Sequence, residues 1–184
     1  MKKFLFLAIT AVALSSCAYV EKFLPKKAEP QLDYLERSSK LDIKKFFNGD
    51  LEGFAITQDQ DGKITGTQTI KINGKWDENK GVVQYNFSYD NGKKDSRTWL
   101  ITLDPDNTFD AVGHDITAPA KGKQIGNASQ MIYSLLLPDP MGKKEVSFVD
   151  KVYLVDDKAA IMISDFKRGY GDSGRTIISL KKIN

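Results

Sequence analysis

The chain has 184 residues, 41% hydrophobic and 28% charged, and its 27 Lys and Arg against 24 Asp and Glu leave a net charge of only +3. That balance excludes a global nucleic-acid footprint. One cysteine excludes a disulfide framework, and one histidine excludes the usual zinc constellations.

Lys2 and Lys3 precede an apolar run, Phe4 to Leu14. A membrane-spanning helix needs about 20 residues, so this run reads as the apolar region of a secretory signal peptide. It leads into Leu14-Ser15-Ser16-Cys17, which resembles the lipobox of bacterial lipoproteins. The resemblance implies a diacylglyceryl group on the Cys17 sulfur, cleavage before Cys17 and acylation of the new amine, palmitate-like chains included. Two or more acyl chains make a stable anchor where one does not. Residues 1–16 are then the signal peptide, and loss of Lys2 and Lys3 brings the mature chain close to neutrality. Ala18, rather than aspartate, follows the cysteine, which by the lipoprotein rule implies the outer membrane, facing the periplasm. Residues 17–40 mix Pro, Lys and Glu with few apolar positions, the composition of a tether.

Beyond Leu41 the pattern becomes that of a β domain, residues 41–184. "DIKKFFNG" is expected to form one short helical turn that plugs a barrel end. Turn pairs recur at Asn48-Gly49, Asp61-Gly62, Asn73-Gly74, Asn91-Gly92 and Asp106-Asn107. Between them, "VVQYNFSY" puts Val83, Tyr85, Phe87 and Tyr89 on one face, and "RTWLITL" puts Trp99, Ile101 and Leu103 on one face. A period of two predicts half-buried strands. They are placed near 51–58, 63–73, 82–90, 95–103, 107–114, 124–136, 145–155, 159–167 and 175–182. Even spacing and short turns predict an all-β, antiparallel up-and-down barrel of about eight or nine strands. Such a barrel is filled by side chains or holds one small ligand.

Several motifs imitate catalytic sites. "GDSG", Gly171 to Gly174, resembles the serine-protease nucleophile motif, with His114 upstream. Arg175 follows where that family has glycine, and the chain is too short for the two barrels required. "GYGDSG" matches a dinucleotide-binding loop, but "IISLKKIN" follows it as a β-type run and not as the helix that must hold the phosphate. Asp104, Asp106 and Asp110, like Asp59 and Asp61, suit turns better than calcium. "GKW", Gly74 to Trp76, imitates the lipocalin G-x-W signature but falls on the second strand. No metal, cofactor or catalytic set is expected, and the chain is read as non-enzymatic. A hydrolase using Ser173 and His114 is the competing chemistry. Arg97 shares a strand face with Trp99; if inward it needs a partner, with Asp150 or a buried carbonyl as candidates.

"LDIKKFFNGDLEGFAITQDQDGKIT", "NGKWDENKGVVQYNFSYDNGKKDSRTW", "KGKQIGNASQMIYSLLLP" and "FVDKVYLVDD" together resemble a bacterial lipoprotein family known as a domain of unknown function, family 3833. The matching positions are Phe47, Asn48, Gly49, Trp76, Arg97, Trp99, Gly126, Asn127, Ala128, Tyr153, Asp156 and Asp157. The chain departs from the family pattern at "VDKV", residues 149–152, and at "AAIMISDF", residues 159–166. The resemblance implies a lipocalin-like barrel and carries no activity.

The expected function is an outer-membrane-anchored lipoprotein whose barrel binds a small apolar or amphipathic ligand. Tyr85, Phe87, Trp99 and Tyr133 would line the pocket, with Arg97 facing an acidic head group. The alternative is an envelope interaction protein with a filled barrel, docking an unspecified protein partner through "TAPAKGKQ" and "LLPDPMGKK".

Overall fold

The computed structural model describes residues 40–139, 142–169 and 172–183. The expected signal peptide, Cys17 and the tether up to residue 39 lie outside the described residues.

Helix α1, Ile43–Phe46, is followed by ten strands: β1 Gly49–Asp59, β2 Ile64–Asp77, β3 Lys80–Tyr89, β4 Lys94–Leu103, β5 Thr108–Val112, β6 Ala120–Ile125, β7 Ala128–Asp139, β8 Gly142–Asp156, β9 Ala159–Lys167 and β10 Ser173–Lys182. Each strand pairs antiparallel with the next, and β10 returns to pair with β1, so the sheet closes. Closure leaves no free edge among the described strands for another chain to extend.

The all-β up-and-down barrel read from the sequence is therefore the fold, with ten strands instead of eight or nine. The extra strand comes from the expected single strand at 124–136. Gly126 adopts φ +56° there, and the chain reverses at Gly126-Asn127 to separate β6 from β7. The opposite error occurs at Asn73-Gly74, where no turn forms: both residues pair with the start of β1 and β2 runs on to Asp77. Gly74 is needed for another reason. A Cβ there would collide with the Phe47 carbonyl, so glycine lets α1 sit close against the wall. The sequences expected as docking loops are also mostly strand. Ala120–Gln124 belongs to β6, and Leu136–Asp139 and Gly142–Lys144 continue the β7–β8 ladder.

The short helix plugs one end of the barrel, as "DIKKFFNG" suggested. Asp42 caps it by accepting from Lys45 N at 3.0 Å. Leu41, Ile43, Phe46 and Phe47 are all buried and join a core with Leu51, Ile70, Ile72, Leu154 and Leu180. Several ties hold the plug, among them one from Lys44 Nζ to Glu78 O at 2.6 Å. Leu41 N donates to Gly126 O at 2.9 Å, and Ile43 N to Gln124 Oε1 at 3.2 Å. Lys182 Nζ donates to the carbonyls of Lys45, Phe46 and Asn48 at 2.9, 3.0 and 2.7 Å. These bonds occupy carbonyls at the helix C-terminal end that have no partner within the helix.

Candidate functional site

Alternation on the strands decides what faces the barrel axis. On β3 and β4 the inward set runs through Val83, Tyr85, Phe87, Arg97, Trp99 and Ile101, while Val82 and Leu100 face out and are exposed. On β8 the inward set is Val146, Phe148, Asp150 and Val152. These faces enclose a cavity of about 660 Å³. It extends from Ile43 and Phe47 of the plugged end to exposed residues of the hairpins at the other, among them Asn91, Lys93 and Arg168.

The barrel therefore keeps an open interior beside its packed core. The large side chains pack on one another. Tyr133 stacks on Phe148 with centroids 5.1 Å apart, Tyr85 on Phe87 at 6.1 Å, and Trp99 meets Tyr133 edge-on at 5.0 Å. Small residues, among them Ser129, Ser164 and Thr176, also line it. Ten strands also widen the interior beyond what eight would enclose.

Tyr85, Phe87, Arg97, Trp99 and Tyr133, all named from the sequence, line this one cavity. Arg97 does not pair with Asp150 or a carbonyl. Its partner is Asp115, from the turn after β5, with Nη2 at 2.8 Å from Oδ2 and Nε at 3.3 Å from each carboxylate oxygen. Burial opposes the guanidinium charge, but the Asp115 bonds and charge outweigh it and hold Arg97 more firmly protonated. Burial likewise opposes ionisation of Asp115, yet Arg97 pulls that carboxyl below its ordinary value.

The polar centre of the cavity is Asp150, which the sequence offered only as a partner for Arg97. Asp150 is 5% exposed and lines the cavity. Tyr133 Oη donates to its Oδ2 at 2.9 Å, and Ser164 faces it across the β8–β9 ladder. Its Oδ1 is buried and has no hydrogen-bond partner among the described residues. Burial pushes this carboxyl up to about 6, although Ser164, Tyr133 and Arg97 all favour the charged form. Burial and the field of Asp150 push the Tyr85 and Tyr133 phenols up in turn. One signal was present in the sequence. Val146, Phe148, Asp150, Val152 and Leu154 alternate on one face of "VSFVDKVYL", so an aspartate occupies an apolar row. Ser164 follows the same rule, between Met162 and Phe166 on β9.

The motifs set aside in the sequence fall elsewhere. Ser173 begins β10 opposite Lys167, and His114 lies in the turn after β5. Asp104 and Asp106 serve the β4–β5 turn, where Thr108 Oγ1 donates to Asp106 Oδ1 at 2.6 Å. Asp59 Oδ1 accepts from the amides of Asp61 and Lys63.

Two solved structures share this architecture. One is a protein of unknown function from the DUF3598 family of Nostoc punctiforme, with TM-score 0.56 and 14% identity, matched over 78% of this chain and 50% of that one. The chain thus spans half the length of the Nostoc protein. The other is the S-type phycobiliprotein lyase CPES of Guillardia theta, with TM-score 0.57 and 11% identity, matched over 84% of this chain and 99% of that one. At such identities the likeness is one of fold, a lipocalin-like barrel. No curated protein matches the chain by sequence. The model of a family described as "protein of unknown function (DUF3833)" matches residues 19–182, and the chain belongs to that family.

Proposed function

We propose that the protein is a lipid-anchored binder: a barrel held to the outer membrane through Cys17, facing the periplasm, that takes up one small apolar or amphipathic molecule without changing it chemically. The observation that carries this reading is the cavity of about 660 Å³, closed by α1 at one end and walled by Tyr85, Phe87, Trp99 and Tyr133. That volume suits a ligand of ordinary small-molecule size, and an aromatic wall with a few polar groups is the usual lining of such sites. The anchor rests on the lipobox-like sequence at Leu14 to Cys17. The guanidinium of Arg97 is engaged by Asp115, so it serves as a strut between β4 and the turn after β5.

A neutral fluorescent probe, N-phenyl-1-naphthylamine, tests uptake directly. The chain should bind it saturably at one site, with a blue-shifted emission. Ser129→Phe places bulk on the buried cavity wall, and it should weaken binding at least tenfold while the thermal melt stays cooperative. Absence of saturable uptake, or uptake unchanged in Ser129→Phe, contradicts a ligand cavity.

A further inference from the structure

The cavity contains a carboxyl group that no cation among the described residues pairs with directly, although the charge of Arg97 acts on it. Among the described residues Arg97 is bound to Asp115, Lys151 bridges to Asp165, and Arg175 also meets Asp165. Asp150, on the inner wall, is left with a tyrosine hydroxyl, a facing serine and one unpartnered oxygen. An unpaired buried carboxylate is costly, and a ligand that brings a positive donor removes that cost. The surroundings suit such a donor. Tyr85, Trp99, Tyr133 and Phe148 line the same cavity, and aromatic faces attract a desolvated cation. Ser129 and Ser164 add buried hydroxyl oxygens that accept N–H bonds. The open end lines the cavity with Lys93, Lys144 and Arg168 but also with Asp90 and Asp95, so selection by charge falls to the interior.

We infer that Asp150 is the recognition residue for an ammonium group, and that the ligand is an amphipathic amine with its head at Asp150 and its apolar part along the aromatic wall. This rests on the cavity being a ligand site. It replaces the acidic head group expected opposite Arg97 with a basic one opposite Asp150. The groups whose charge acts on Asp150 are Arg97 on β4, Tyr133 on β7, Asp165 on β9 and, across the cavity, Tyr85 on β3.

Three probes of matched chain, octylamine, octanol and octanoate, separate the possibilities by calorimetry on the full-length protein. At pH 8 octylamine should bind at least tenfold tighter than octanoate, with octanol between them. Asp150→Asn should erase the preference while octanol binding persists, showing an intact cavity. In the unsubstituted protein the amine preference should shrink between pH 7 and pH 5 as Asp150 takes up its proton, an arm that needs no variant. Octanol binding with no preference for octylamine overturns the amine assignment and leaves the ligand reading standing. A preference that survives Asp150→Asn, or that is unchanged at pH 5, also overturns it. Binding of none of the three defeats both readings.

Discussion

Asp150 shows how one residue on the wrong face of a strand sets the chemistry of an interior. Its neighbours in the inward row are valine, phenylalanine and leucine, so the carboxyl is carried inward by the backbone period alone. Burial then raises its proton affinity from the ordinary 3.8 to about 6. The native state therefore holds this proton more tightly than the unfolded chain does. The stabilisation from that proton is fully present below about pH 3.8 and is lost as pH rises through 6. A shift of this size corresponds to about 3 kcal/mol, as an order of magnitude. Asp150→Asn keeps an acceptor for Tyr133 and carries no charge. It should be more stable than the parent by up to about 3 kcal/mol at pH 7.5, with the gap closing toward pH 4, as read from urea unfolding. A gap that widens on acidification would contradict the assignment. At this scale the sequence was half legible. The five aromatic and basic positions named from strand alternation all reach the cavity. Ser164 was missed, and Asp150 was named only as a partner for Arg97, because the surrounding segments were judged by their apolar average, where position within the period decides.

Among the elements, α1 is the smallest and the most dependent on its neighbours. Four residues cannot hold a helix in water, so the turn exists because its side chains close the barrel and its termini are satisfied from outside. Lys182 of β10 supplies three of those bonds. Burial, with repulsion from Lys45 added, lowers its proton affinity. Lys182→Met keeps the aliphatic stem and removes the donor. It should cost about 1–2 kcal/mol and raise hydrogen exchange selectively at Phe46 and Phe47, whose amides donate to Asp42 and Ile43. Unchanged exchange there would show that the plug does not rely on Lys182. The strand errors are also instructive at this scale. Asn-Gly and Gly-Asn pairs signal hairpins when both residues are free to leave the ladder. At residues 73–74 the packing of Phe47 demands a glycine within a strand, whereas at 126–127 the chain does turn. Local composition does not distinguish a glycine needed for close approach from one needed for a turn.

For the whole molecule, closure of ten strands gives a wider interior than eight would enclose, and the lining aromatics leave a cavity in it. Fold class was legible because alternation and turn spacing are properties of whole segments. The interior volume was not, because it depends on strand count and on how the large rings pack on one another. The outer surface keeps apolar residues such as Phe54, Leu100 and Ile132 exposed, a pattern common on protein surfaces. The most direct measurement is native mass spectrometry of the protein as purified from the cells that produce it. One small-molecule adduct per chain is expected, lost on organic extraction, basic in character, and absent in Ser129→Phe. The same spectrum should show acylation at Cys17 and removal of residues 1–16. A chain that is always recovered without an adduct, and that takes up no apolar probe afterwards, would contradict a barrel built to hold a ligand.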